Sequence, residues 1–240
     1  MRVLLALLLG FALGGLSAAT ARAETLVFAA ASLRNVLEDG AAPGTRLSFA
    51  GSGTIARQIS AGAPADAIVL ANAGWMAWLR DRGHIAPGAV RQVASNRLVI
   101  VASLGAAPLA TPEALKPRLG TGRLAMGQRA GVPAGIYARQ WLEHAGIWDD
   151  IKDHLAETDN VRAALLLVSR GEAPLGVVYA SDVLASDQVT TVYDVPANSH
   201  VPIIYWAAAL TPAGTTFIDA LMSAEGQARF AAQGFLPVPE

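Results

Sequence analysis

The chain has 240 residues, with 18 lysine and arginine side chains against 19 aspartate and glutamate side chains and no cysteine. The formal net charge of −1 argues against nucleic-acid binding and against a polybasic membrane-binding patch. The lack of cysteine excludes disulfides, thiol catalysis and thiolate metal sites.

Residues 1–23 have the features of a secretory signal peptide. A short positive start at Met1-Arg2 is followed by an apolar run from Val3 to Leu16 and by a small-x-small cleavage site, Ala21-Arg22-Ala23. The apolar run is shorter than the roughly 20 residues that span a bilayer, so an uncleaved anchor is the less favoured alternative. We therefore expect an exported protein, periplasmic in a Gram-negative cell, whose residues 24–240 are enough for a full core.

The first half of the mature chain alternates short apolar runs with helical patterns. Strands separated by helices at this spacing predict a parallel sheet with right-handed crossovers. The expected strands are Leu26 to Ala30, Arg46 to Ala50, Ala67 to Ala71 and Arg97 to Ala102, and the expected helices are Leu33 to Asp39, Thr54 to Ser60 and Gly74 to Arg82.

A cluster of glycine and proline between residues 105 and 117 marks the entry to a second lobe. Two long apolar strands, at residues 97–103 and 203–210, enclose this second α/β unit and predict two crossings, which form a natural hinge. The fold class is thus α/β in two lobes, with residues 24–102 and 205–240 in lobe I and residues 103–204 in lobe II. The expected elements of this half are strands at Arg123 to Met126, Gly176 to Tyr179 and Val189 to Tyr193, and helices at Pro133 to Ala145, Val161 to Arg170 and Thr215 to Gln233.

Two strand-to-helix turns carry a serine at the point where the strand ends. Ser32 follows the first strand, and Ser52 follows the second within the triplet Gly51-Ser52-Gly53. Because the carboxyl ends of neighbouring strands in an open α/β sheet share one crevice, these hydroxyls and the N–H groups of the following helix starts can hold an anion there. Each serine alone is equally an ordinary helix N-cap, although the glycines beside Ser52 allow the backbone to approach a ligand closely.

Three further positions are candidates for the facing wall of this crevice. Ala134 and Val161 each lie in the first turn of a predicted helix, and Tyr179 ends the apolar strand GVVY. Taken singly, the first two are simply helix starts, and a tyrosine at a strand end is often a packing residue.

The motifs of common enzymes are absent from the sequence. The residues around Ser52 lack the glycines of a G-x-S-x-G nucleophile elbow, no phosphate-binding P-loop occurs, and the four histidines are not at metal-ligand spacing. A secreted hydrolase that uses Ser32 or Ser52 stays as a remote alternative. The motif segments offer it no partner histidine except His144, at the far end of a helix.

Several motifs in a fixed order carry a family resemblance over essentially the whole mature chain. They are FAAASL (28–33), FAGSGTIARQISAGAPAD (49–66), GRLAMGQRAGVPAGIYARQWLEHAGIWD (122–149), NVRAALLLVSRGEAPLGVVYASD (160–182) and QARFAAQGF (227–235). With them, the chain closely resembles the molybdate-binding periplasmic proteins of ABC importers.

The resemblance implies a type II periplasmic-binding-protein fold with two lobes and a two-segment hinge. Such a protein is not an enzyme; it is expected to be monomeric, to need no cofactor, and to deliver molybdate or tungstate to an ABC permease in the inner membrane. By the same resemblance, Ser32 and Ser52 would donate through hydroxyl and N–H groups, Ala134 and Val161 through backbone N–H groups, and Tyr179 through its hydroxyl. A same-fold binder of sulfate or another tetrahedral oxyanion is the main alternative.

Some features depart from the family pattern or need a role. The segment at residues 34–47 is shorter than expected, and Gly51 and Gly53 stand where many relatives carry serines. Arg57 and Arg162 lie near the motifs, and we expect them to serve surface pairing or steering. Direct ligation by arginine is not required, because partial charges at helix N-termini compensate a dianion.

Overall fold

The computed structural model describes residues 24–239, so the predicted signal peptide lies outside the described residues. Ten strands form two five-stranded sheets, and helices pack against both of them. This arrangement confirms the predicted α/β class. No helix between residues 24 and 239 is both long and apolar enough to cross a membrane.

The first sheet contains three of the four strands predicted in the first half, one strand that was not predicted, and a strand from near the end of the chain. Its members are β1 (Thr25–Ala30), β2 (Thr45–Ala50), β3 (Ala67–Leu70), β4 (Val90–Ser95) and β10 (Ile204–Ala209). Their order is β2-β1-β3-β10-β4. β1 is parallel to β2 and β3, but β10 is antiparallel to both of its neighbours, so the sheet is mixed and not parallel throughout as predicted.

The second sheet is built in the same way. It contains β5 (Leu98–Ser103), β6 (Leu124–Gly127), β7 (Leu155–Thr158), β8 (Leu175–Tyr179) and β9 (Val189–Asp194), in the order β7-β6-β8-β5-β9. β6 is parallel to β7 and β8, and β5 is antiparallel to β8 and β9. The carboxyl ends of the parallel strands are the edge at which a ligand crevice is expected in such a sheet.

β5 contains residue 102, the predicted end of the first part of lobe I. β5, which the sequence analysis placed in lobe I, pairs only with strands of the second sheet. The chain leaves the first sheet after β4 and crosses at Asn96-Arg97. β4 escaped prediction because Arg91 and Gln92 interrupt its apolar pattern, and without β4 the next apolar run was taken for the last strand of lobe I.

The predicted helices are present close to their expected bounds, except at the end of the chain, and three short helices that were not predicted occur at Leu115–Leu119, Trp148–Ile151 and Ala180–Val183. The predicted helix from Thr215 to Gln233 is two helices, because Ser223 has extended backbone angles and its side chain accepts a hydrogen bond from Gly226 N as a new N-cap. The helices are α1 (Arg34–Asp39), α2 (Ser52–Ser60), α3 (Ala73–Arg80), α4 (Leu115–Leu119), α5 (Pro133–His144), α6 (Trp148–Ile151), α7 (Val161–Ser169), α8 (Ala180–Val183), α9 (Pro212–Met222) and α10 (Ala224–Ala232).

Candidate functional site

A small cavity lies between the two sheets, at the carboxyl ends of β1, β2 and β8 and at the first turns of three helices. Its empty volume is about 210 Å³. All five residues that were predicted to form the site line this one cavity, two from the first lobe and three from the second. They are Ser32, Ser52, Ala134, Val161 and Tyr179.

Ser32 lies in the 3-10 turn that follows β1 and is 2% exposed. Its hydroxyl is 3.0 Å from the hydroxyl of Tyr205, which is fully buried on β10. The apolar residues on either side, Ala31 and Leu33, are also buried and hold the turn against the core. The local sequence thus fixes one hydroxyl at the cavity wall.

Ser52 is the first residue of α2, and its side chain is also buried. The Ser52 Oγ accepts a hydrogen bond of 3.0 Å from the backbone N–H of Ala71, at the end of β3. Because this bond occupies an acceptor site of the hydroxyl, the hydroxyl proton is free to be donated towards the cavity. The preceding N-cap residue, Gly51, supplies no side chain of its own to this helix start.

The flanking glycines have a steric role that the sequence did not show. A Cβ on Gly51 would collide with the carbonyl oxygen of Asp159, which belongs to the second lobe, and a Cβ on Gly53 would collide with the carbonyl oxygen of Gly131. Serine at either position is therefore incompatible with the close approach of the two lobes seen here.

The second lobe presents two helix starts to the same cavity. Ala134 follows Pro133, the first residue of α5, and Val161 is the first residue of α7; both are buried. The side chain of Asn160 caps α7 by accepting a hydrogen bond of 3.0 Å from the backbone N–H of Ala163. This cap does not occupy the backbone N–H groups of Val161 and Arg162. N–H groups in a first turn have no acceptor within their own helix, and they carry the positive end of the helix dipole.

Tyr179 ends β8 and is 1% exposed. Its hydroxyl is buried and has no hydrogen-bond partner among residues 24–239. Burial raises the pKa of this hydroxyl well above its ordinary value, and the nearby Tyr205, Tyr137 and Asp182 raise it further. The phenol therefore keeps its proton at neutral pH and is available as a donor.

A buried ion pair lies behind Tyr179, and sequence reasoning missed it. The Nε of Arg162 is 2.6 Å from Oδ1 of Asp182, which is completely buried, and Asp182 Oδ2 accepts from the backbone N–H of Tyr179 at 3.1 Å. Burial raises the pKa of Asp182, whereas the Arg162 guanidinium lowers it. Asp182 stands three residues after Tyr179, the end of the GVVY strand, and this proximity was the available signal.

Arg162 therefore differs from the expectation of surface pairing or steering. Only 19% of its side chain is exposed, and besides Asp182 it donates to Ser32 O at 3.3 Å and to Asn35 Oδ1 at 3.0 Å in the first lobe. Arg57 does lie on the surface, beside Thr54. Neither arginine lines the cavity.

Two further hydrogen bonds join the lobes across the cavity. Trp75 Nε1 donates to Gly131 O at 2.9 Å, and the Tyr137 hydroxyl donates to Ala71 O at 3.1 Å. Each bond joins a residue of the first lobe to one of the second. Together with Arg162, these contacts hold the two walls close together, so that the cavity is small.

Comparison with known proteins assigns this architecture. The family model for bacterial extracellular solute-binding proteins matches residues 26–236, which is nearly the whole described chain. The chain belongs to this solute-binding family. A cavity between two α/β lobes, walled by donors from both, is consistent with that membership.

Individual relatives of this solute-binding protein are molybdate-binding proteins. The molybdate-binding protein ModA of Escherichia coli is 40% identical over 208 residues, which cover 82% of this chain and 80% of the relative. ModA of Haemophilus influenzae is 38% identical over 197 residues, covering 77% of each chain. The solved periplasmic molybdate-binding protein of Azotobacter vinelandii has the same fold, with a TM-score of 0.79 at 22% identity over 90% of this chain and all of that one.

Proposed function

We propose that this solute-binding protein captures molybdate between its lobes and delivers it to an ABC permease in the inner membrane. The observation that carries the proposal is the Tyr179 hydroxyl, which is buried at the cavity and has no partner in the part of the chain that the structure describes. A buried polar group without a partner costs about 1–3 kcal/mol, so a retained one indicates that a ligand satisfies it.

The remaining lining groups support an anion as that ligand. Ser52 accepts a backbone hydrogen bond and keeps its proton for the cavity. The first turns of α5 and α7 line the cavity, and first-turn N–H groups have no acceptor within their own helix. Among residues 24–239, no carboxylate lines the cavity; Asp182 lies behind Tyr179 and pairs with Arg162. The proposed ligands are Ser32 and Ser52 through hydroxyl and N–H groups, Ala134 and Val161 through N–H groups, and Tyr179 through its hydroxyl.

A wall of donors also accounts for selectivity. Molybdate and tungstate are fully deprotonated dianions near neutral pH, so each of their oxygens accepts. A protonated phosphate would bring an O–H group that finds no acceptor, and that mismatch costs affinity. Sulfate is likewise fully deprotonated, so the cavity must exclude it by size. The same donor set accommodates tungstate, whose size and charge nearly equal those of molybdate.

The lobes that we propose follow sheet membership. Lobe I comprises residues 24–95 and 204–239, lobe II comprises residues 98–194, and the connections at residues 96–97 and 195–203 form the hinge. This division moves the end of the first part of lobe I from residue 102 to residue 95. It keeps the point at which the chain re-enters lobe I near residue 205. We further propose a monomer that is periplasmic after signal-peptide removal, has no cofactor and catalyses no reaction, since its family binds solutes.

Isothermal titration of the mature protein with molybdate, tungstate, sulfate and phosphate tests the proposal. We expect molybdate and tungstate to bind tightly and with similar affinity, whereas sulfate and phosphate bind far more weakly. Tight sulfate binding together with micromolar or weaker molybdate binding would overturn the assignment in favour of a sulfate-binding protein. A serine hydrolase predicts instead hydrolysis of an activated ester that Ser32→Ala or Ser52→Ala abolishes.

A further inference from the structure

A chain of hydrogen bonds connects Ser32 to the hinge. The Ser32 hydroxyl is 3.0 Å from the Tyr205 hydroxyl, and Asn96 Nδ2 lies 3.3 Å from that same hydroxyl and 2.8 Å from Ser181 Oγ. Asn96 occupies the first crossing between the lobes, and Tyr205 follows the second crossing, at a bulge in β10. The four residues thus connect both lobes to the first hinge segment, close to the point where the second one ends, and all of them are buried.

The direction of each proton in this chain can be worked out. Asn96 Oδ1 accepts from the backbone N–H of Arg97 at 2.9 Å, and because an N–H cannot accept, the orientation of the amide is fixed. The two hydrogens of Asn96 Nδ2 are then donated to Ser181 Oγ and to the Tyr205 oxygen.

Tyr205 has one proton left to donate, and the Ser32 Oγ is the only acceptor within its reach among residues 24–239. Burial raises the pKa of Tyr205 above its ordinary value, so this proton stays on the phenol at neutral pH. Ser32 receives a hydrogen bond from Tyr205 and must aim its own hydroxyl proton elsewhere. The cavity is the space that it faces.

We propose that Tyr205, held by Asn96, is a positioning residue for oxyanion capture, because it fills the acceptor side of Ser32 and so turns the Ser32 proton towards the ligand. The inference rests on the proposed function and deepens it. It assigns a role in presenting a donor to Asn96 in the hinge and to Tyr205 just beyond the second hinge segment, and it links the direction of that donor to the segment about which the lobes move.

A double-mutant cycle measured by titration with sodium molybdate tests the inference. The proteins are wild type, Tyr205→Phe, Ser32→Ala and the double variant, each checked for folding by its thermal midpoint. We expect Tyr205→Phe to weaken molybdate binding about tenfold, because Ser32 loses the bond that orients it. In the Ser32→Ala background, the same substitution should change affinity less than about twofold, since no hydroxyl remains to be oriented.

Tyr193→Phe is the matched control. This tyrosine packs on Trp141 in the second lobe, with ring centroids 5.9 Å apart, and it does not line the cavity. The Tyr193→Phe variant should therefore bind molybdate with the wild-type affinity. Should Tyr205→Phe fail to fold, Asn96→Ala serves in the same cycle, with an expected loss of about threefold that disappears in the Ser32→Ala background.

Different results would overturn the proposed function and the positioning role of Tyr205. A wild-type protein that does not bind molybdate overturns the proposed function and the positioning role together. A wild type that binds molybdate, combined with a Tyr205→Phe variant of unchanged affinity, overturns the positioning role alone. An equal loss in the Ser32 and Ser32→Ala backgrounds has the same consequence, because Tyr205 would then act on affinity without acting through Ser32.

Discussion

Replacing Tyr179 by phenylalanine separates a ligand-binding role for its hydroxyl from a structural one. The substitution keeps the ring, which is buried and packs edge-on against Tyr205 with centroids 6.0 Å apart. It removes only an oxygen that has no hydrogen-bond partner between residues 24 and 239. The unliganded fold therefore loses no interaction when the hydroxyl is deleted.

The expected effects have opposite signs for stability and for binding. Removing a buried, unpaired hydroxyl leaves the free energy of unfolding of the ligand-free protein unchanged or raises it by about 1 kcal/mol. A hydrogen bond to a charged group contributes about 1.5–3 kcal/mol, so the dissociation constant for molybdate should rise about 10- to 150-fold. Urea denaturation of the ligand-free protein measures the first effect, and isothermal titration measures the second.

Tyr137→Phe provides the contrast, because the Tyr137 hydroxyl donates to Ala71 O at 3.1 Å. That variant should lose roughly 0.5–1.5 kcal/mol of stability, as expected for one hydrogen bond. If Tyr179→Phe binds molybdate as tightly as wild type, the phenol is not a ligand. If it unfolds as readily as Tyr137→Phe, its hydroxyl has a structural partner, and the reasoning from an unpaired donor is wrong.

Three other predictions follow from the same geometry. Gly51→Ala should weaken molybdate binding at least tenfold, measured by titration, because the added Cβ collides with Asp159 O and blocks lobe closure. Gly131→Ala is the control: its added Cβ has room, so this variant should bind as tightly as wild type. Arg162→Ala should lower the urea unfolding free energy by about 3 kcal/mol because it leaves a buried carboxylate unpaired, and adding Asp182→Asn should recover most of that loss. Molybdate affinity at pH 11 should stay within about twofold of its value at pH 7, because a raised pKa keeps the Tyr179 proton in place. An ordinary phenol would be about nine-tenths ionised at that pH, so a loss of about tenfold argues for an unperturbed tyrosine.

Most elements of the fold could be predicted from local sequence, but their pairing could not. Apolar runs such as residues 67–70 are buried on both faces and bounded by turns, so they read clearly as strands. β7 has only four residues, and β4 and β7 both carry charged residues, so the pattern of alternation missed them. β5 was recognised as a strand, but its pairing with the second sheet was not foreseen, because a strand's own residues do not specify its neighbours.

The site shows the same division between local and long-range information. Ser32 and Ser52 stand at strand ends, and Ala134 and Val161 at helix starts, so local rules marked these positions as candidate donors. The Arg162–Asp182 pair and the Tyr205–Ser32 contact join residues that are far apart in sequence, and no local sequence pattern predicts which residues pair. The sequence suggested close approach to a ligand as the reason for Gly51, whereas the collision of a Cβ at this position with Asp159 O involves the opposite lobe and could not be foreseen.

The way in which charge is balanced around the cavity suits a protein that must release its ligand. Arg162 is the one cation that bridges the lobes among the residues described, and Asp182 already neutralises it, so no net positive side chain faces the proposed dianion. Compensation then comes from N–H groups and helix dipoles, whose effect falls off within about one helical turn. In the proposed binding mode the donors of the two lobes are on opposite walls, so separating the lobes removes the hydrogen bonds of one wall at once. The proposed permease can therefore empty the site by moving the hinge, without having to break a direct ion pair.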